Sequence, residues 1–165
     1  MNQILKKLSN DIGDLEYMMY QEIPTSENGA LNNLKGTDFI NYYLLIKERL
    51  EEEFALLDEK KTPRITYIMY VNDYPVGEIM IRPVLNAYWK EYSGNIGYKI
   101  RPSERNKGYG KIMLKLALEE CRKLKMSEVY LQCMKYNIYS SKVILANNGK
   151  LIKEDVNTFY YKIKL

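Results

Sequence analysis

Arg105-Asn-Lys-Gly-Tyr-Gly110 is the segment whose residue types and spacing most plainly suggest chemistry. It lies between an extended apolar run, Asn95 to Arg101, and an amphipathic run, Lys111 to Leu124. A glycine-containing turn from strand to helix aims several free backbone N–H groups at one spot, and that spot binds phosphate. The basic residues around it are informative by their sign. Arg105, Lys107 and Lys111 would stand at the positive end of the helix dipole, where cations destabilise, and a bound polyanion would reverse that penalty. A solvated basic helix start, with glycines kept for packing, is the alternative; it leaves the charge sign unexplained.

Other chemistries are narrowed by what the chain lacks. With no histidine, the Ser-His and Cys-His triads are excluded, and proton transfer falls to a carboxylate, Tyr, Cys, Lys or water. Two cysteines, Cys121 and Cys133, supply neither a disulfide framework nor a zinc site, so no metal is expected. Both read as core. The net charge of +4 is modest and Lys and Glu alternate, as in Lys47 to Glu53, which describes a solvated helix face and argues against a nucleic-acid partner. The 16 tyrosines fall mostly inside periodic runs, as core-edge packing requires. At 165 residues the chain fits one domain, 1–165. No run approaches the roughly 20 apolar residues of a membrane span, and the N-terminus has no secretory pattern, so a cytoplasmic location without membrane partners is expected.

The elements that would position the turn follow from periodicity. Asp11 to Glu22 has helical spacing ended by Pro24. Thr37 reads as the N-cap of a helix from Asp38 to about Asp58, with Phe39, Ile40, Tyr43, Leu44, Leu50, Phe54 and Leu57 as its buried stripe. Ile65 to Val71 and Val76 to Arg82 around Asn72-Asp73 form a β-hairpin, and Val84 to Ser93 an aromatic loop, serving as a lid or as packing. After the helix at 111–124 come a strand at Glu128 to Met134, a helix from Asn137 to Asn147 stopped by Asn147-Asn-Gly149, and a closing strand at Thr158 to Leu165. This order describes an α/β fold, a mixed sheet with helices on both faces.

Over residues 64–165 the chain resembles the GNAT superfamily of N-acetyltransferases. The resemblance rests on Gly97-Tyr-Lys-Ile-Arg-Pro-Ser-Glu-Arg-Asn-Lys-Gly-Tyr-Gly110, which is similar to the family's strand, turn and Arg/Gln-x-x-Gly-x-Gly/Ala. The second block is Asn137-Ile-Tyr-Ser-Ser-Lys-Val-Ile144, similar to the family's Asn-x-x-Ala/Ser. Ile81 to Asn86 with Gly94 to Arg105 further resembles a subgroup of small bacterial members with uncharacterised substrates, which usually carries His where this chain has Asn95.

The resemblance implies a mostly antiparallel mixed sheet, splayed between its fourth and fifth strands, with acetyl-coenzyme A across the splay. Tyr98, Lys99 and Ile100 would pair with the pantetheine arm. Asn106, Lys107, Gly108, Tyr109, Gly110 and Lys111 would cradle the pyrophosphate, with charge from Arg105 and Lys107, and Asn137 and Ser140 would flank the cofactor. The implied reaction is direct attack of a primary amine, from a small molecule or a peptide, on the thioester. Two departures concern the proton chemistry: Ile144 stands where many members have a tyrosine acid, and Gln132 where some have a carboxylate. Tyr98, Tyr139 and Glu78 are the remaining catalytic candidates, although packing explains the tyrosines and Glu78 is expected to face solvent. Arg82, Asn86 and Asn95 are candidates for the acceptor pocket. The alternatives are an acyl-coenzyme A-binding sensor of the same fold that has lost catalysis, and a nucleotide-binding protein, against which the missing Gly-Lys-Ser/Thr argues. A monomer or a homodimer fits equally.

Overall fold

The computed structural model describes residues 2–165. Its elements, in order, are β1 (Gln3–Lys7), α1 (Asp14–Glu22), β2 (Ser26–Glu27), β3 (Ala30–Leu31), α2 (Phe39–Glu51), β4 (Ile65–Val71), β5 (Tyr74–Ile81), α3 (Ala87–Tyr92), β6 (Ile96–Ile100), α4 (Tyr109–Lys123), β7 (Glu128–Met134), α5 (Ile138–Leu145), β8 (Lys150–Glu154) and β9 (Thr158–Lys164). One sheet has the order β1-β4-β5-β6, a second β7-β9-β8, and β2 pairs with β3 alone. Every ladder is antiparallel. The expected splayed sheet is thus present, among the described residues, as two sheets bridged only where the chain enters β6 beside β7.

β4 explains the layering. All seven of its residues are buried because helices cover both of its faces. Ile65, Tyr67, Met69 and Val71 pack with Met113, Leu114, Ala117 and Leu118 of α4 in the larger core. Ile68 and Tyr70 point the other way, among Met19 and Tyr20 of α1 and Tyr42 and Ile46 of α2. Alternation of side chains along a strand produces this division. Asn72 and Asp73 both take positive φ, 48° and 63°, which suits the tight primed turn that joins β4 to β5. Pro75 cannot donate to a ladder, and the register slips where it faces Tyr70.

The structure corrects several expectations. The buried face of α2 is Tyr42, Ile46 and Arg49, whereas Phe39, Ile40, Leu44, Phe54 and Leu57 are exposed. Helix α2 begins one residue later, capped by Asp38, whose side chain accepts from Asn41 N–H at 2.8 Å; Thr37 instead donates its hydroxyl to the Leu34 carbonyl. It ends at Glu51 and passes into one 3-10 turn, Glu52–Phe54. The segment Val84 to Ser93 contains helix α3, capped by Asn86. Strands β1 and β8 and the β2–β3 hairpin were not expected. No helix among the described residues is long and apolar enough to cross a membrane.

Candidate functional site

Among the described residues the backbones of the two sheets are bridged at one place. An isolated bridge joins Gly94 to Leu131, and Asn95 N–H donates to the Tyr130 carbonyl at 2.7 Å. Gly94 is required there: its φ is +84°, and a Cβ would lie 2.3 Å from the Tyr130 oxygen. Asn95 fastens the junction with its side chain as well, accepting from Tyr130 N–H at 2.7 Å and donating to the Arg82 carbonyl at 2.9 Å. Beyond this apex β6 has a ladder partner on its β5 side only, so its other edge faces β7 across an opening. A strand edge of this kind accepts an extended ligand by backbone hydrogen bonds.

Around the opening the structure gathers Tyr98 of β6, Cys133 of β7 and Ser140 of α5. The Tyr98 hydroxyl lies 2.9 Å from Ser140 Oγ. Burial pushes the Tyr98 phenol up, outweighing its bond to Ser140, so it keeps its proton at neutral pH. Burial likewise raises the Cys133 thiol, which disfavours a thiolate nucleophile. Asn137 caps α5 by accepting from Ser140 N–H at 3.2 Å, an arrangement that leaves its Nδ2 able to donate outward.

The glycine turn closes the same end of β6. Gly108 is the N-cap of α4 in left-handed conformation, φ 82°, with no side-chain cap. A Cβ there would meet nothing within 4 Å, so the backbone angle, and not crowding, calls for glycine. The first bond of the helix runs from Ile112 N–H to the Gly108 carbonyl, and the N–H groups of Gly110 and Lys111 precede that ladder. The positive charge around the turn, however, is largely countered within the protein. Arg105 makes a bidentate pair with Glu27 at 2.9 and 2.5 Å and donates Nε to the Ile100 carbonyl at 3.1 Å. Lys107 pairs with Glu104 at 2.9 Å.

The other sequence candidates are placed differently. Glu78 is fully buried, not solvent-facing: it bonds Tyr20 at 2.5 Å and Arg49, and Lys99 Nζ stands 3.2 Å away. Burial alone would raise its pKa, but the charges of Arg49 and Lys99 pull it down to about 2. Tyr139 is two-thirds exposed on α5. Arg82 is buried under the Trp89 ring, 4.0 Å from its centroid, and Asn86 is committed to the α3 cap and to the Asp58 carbonyl at 2.7 Å.

Gln132 has a local reason to be an amide. Its Nε2 donates to the Lys90 and Glu91 carbonyls at 3.2 and 2.6 Å, at the C-terminal end of α3, where a carboxylate would meet lone pairs and the negative end of the helix dipole. Ile144 is completely buried between α5 and the sheet. Glu27 and Gly94 went unnoticed as site residues, although Asn28-Gly29 is itself a two-residue hairpin signal.

The family model described as Acetyltransferase (GNAT) family matches residues 30–145. Among solved structures, the chain is similar to the Campylobacter jejuni N-acetyltransferase PseH in complex with acetyl coenzyme A, at 16% identity and TM-score 0.65, with 99% of each chain covered. It is similar to an N-acetyltransferase from Staphylococcus aureus Mu50, at 14% identity and TM-score 0.66, with 99% of each chain covered. A third is the putative acetyltransferase yncA from Salmonella typhimurium with its cofactor acetyl-CoA, at 11% identity and TM-score 0.66, covering 99% of this chain and 94% of that one. At these identities the likeness is one of fold. No curated protein sequence gives a significant match.

Proposed function

The chain belongs to the acetyltransferase (GNAT) family, and we propose that it transfers the acetyl group of acetyl-coenzyme A to a primary amine on a small molecule or peptide. The observation that carries this reading is the forked sheet: an unpaired β6 edge that opens from a single apex and ends in the amide-rich turn at Gly108. Two of the similar structures hold acetyl-coenzyme A in the same fold, which supports the choice of donor.

The residues present fit that donor. The backbone of Tyr98, Lys99 and Ile100 would hold its extended arm, and the amides of Asn106 to Lys111 its pyrophosphate, with Asn137 Nδ2 and Ser140 beside it. When bound, acetyl-coenzyme A supplies a thioester, an acyl donor toward amines. Tyr98 holds a proton at its phenolic oxygen on the opening and is the proposed proton donor. Glu78 is a poor proton acceptor, because Arg49 and Lys99 stabilise its charge, and its role is to tie α1 and α2 to the sheet. An amine that arrives neutral needs no base before it attacks, and the proton its nitrogen sheds on becoming an amide would pass to water.

A second reading, an acyl-coenzyme A-binding module without turnover, is favoured by one specific observation: Gln132 and Ile144, which stand where acid–base groups are common in the family, are both committed to structure. Thiol release from acetyl-coenzyme A against a broad panel of amines separates the two. Turnover with any amine is the expected result; saturable binding with no turnover across the panel would replace the enzyme by the sensor.

A further inference from the structure

The β2–β3 hairpin touches both arms of the fork. Asn28 and Gly29 form its turn with φ of 52° and 81°, and Gly29 lies against Met134 of β7. The Leu31 carbonyl accepts from Lys99 Nζ of β6 at 2.7 Å. Glu27 holds Arg105, in the turn that follows β6, through both carboxylate oxygens. A ladder of two residues per strand does not sustain a hairpin in water, so these outside contacts keep it across the opening.

Arg105 and Glu27 are about one-third and two-fifths exposed, at 35% and 39%, so water reaches the pair and exchange of partners is easy. Phosphate engages a guanidinium by the same two parallel N–H bonds that a carboxylate uses. Arg105 stands three residues before Gly108, on the loop whose amides face the proposed pyrophosphate position. A bound anion there and the Glu27 carboxylate therefore compete for one set of donors.

We propose that Glu27 is a positioning residue that occupies Arg105 until coenzyme pyrophosphate displaces it, so that cofactor binding and release of the β2–β3 hairpin from the fork are one event. This rests on the coenzyme site proposed above. A purely structural Glu27 would hold Arg105 in place for the ligand, and its loss would weaken binding. A competing Glu27 has the opposite sign.

The experiment is a calorimetric titration of wild type, Glu27→Gln, Arg105→Gln and the double variant with coenzyme A and with dephospho-coenzyme A. Glu27→Gln is expected to bind coenzyme A about two- to fivefold more tightly than wild type, the range open to an exposed ion pair. The same gain is expected with dephospho-coenzyme A, which keeps the pyrophosphate, and no gain when Arg105 is already replaced. Hydrogen exchange of residues 26–31 is expected to be faster in ligand-free Glu27→Gln than in wild type, and to rise in wild type on saturation with coenzyme A. Equal or weaker binding by Glu27→Gln overturns the competition. So does unchanged exchange at 26–31 while coenzyme A protects 106–111. If wild type shows neither binding nor protection at 106–111, the coenzyme site itself fails, and the competition with it.

Discussion

Glu78 is fully buried, and its charge depends on the groups that surround it. Burial pushes the carboxyl upward; Arg49 and Lys99 overcome that and hold it at about 2, below its ordinary 4.5. A carboxylate whose pKa is depressed by folding contributes stability above its unfolded value, and that contribution is lost as the pH falls through the folded value. The window is therefore from about 4.5 down to about 2. Glu78→Gln is expected to lower stability at pH 7 by about 3 kcal/mol, because Arg49 and Lys99 keep their charges without a counter-charge. It should also flatten the decline of stability across that acid window. Urea unfolding of both proteins at pH 7 and pH 3 checks the two effects, and a variant with wild-type stability and wild-type acid sensitivity would contradict them. The same residue shows why this part of the molecule was hard to read. A glutamate on a strand suggests a solvated face, and only the arrival of Arg49 from α2 and Lys99 from the neighbouring strand makes it an interior group.

At the scale of elements, the fork depends on its apex more than on either sheet. Gly94 brings the chain within van der Waals contact of β7 at a backbone angle that L residues avoid. Gly94→Ala adds a Cβ against the Tyr130 carbonyl, so β6 and β7 must separate; a loss of about 2 kcal/mol or more is expected. Differential scanning calorimetry would show it, and an unchanged melting temperature would mean that the apex does not hold the sheets. The hairpin at 65–81, strand β7 and helix α4 were legible because each presents a clean apolar period and each is covered by the main core. Helix α2 was legible as a helix but not in its facing. Its buried side includes Arg49, which serves the Glu78 cluster, so a stripe drawn from apolar residues alone turned Ile40 and Leu44 inward when they face out. β8 has five exposed residues and β1 is an edge strand with two lysines, and neither carries the alternation that marks a half-buried strand. The proposed cofactor-side residues were named from a motif; in the structure Tyr98 of the unpaired β6 edge meets Ser140 of α5, and the glycine turn follows the same strand. Glu27 sits far away in sequence, in a hairpin too short to signal itself, and long-range pairing of that kind is invisible to local periodicity.

The molecule places its larger apolar core on the α4 side of one sheet and, on the α1–α2 side, a smaller apolar core beside the buried Glu78–Arg49 pair. The second sheet shares the α4-side core with the first, but among the described residues their backbones are bridged only at the apex, and the unpaired β6 edge runs from there toward the glycine turn. The central claim is that the opening beside that edge holds coenzyme A by the backbone of the turn. Gly108→Asp tests it most directly, because position 108 faces open space and the substitution disturbs only a backbone angle, at a cost of about 1 kcal/mol. Its carboxylate would stand against the pyrophosphate. Calorimetric titration with coenzyme A, alongside a melting curve, is expected to show binding by the wild type and about a hundredfold or greater loss in the variant, with the fold retained. Undiminished affinity in a folded Gly108→Asp protein, or no binding by the wild type, would contradict the account.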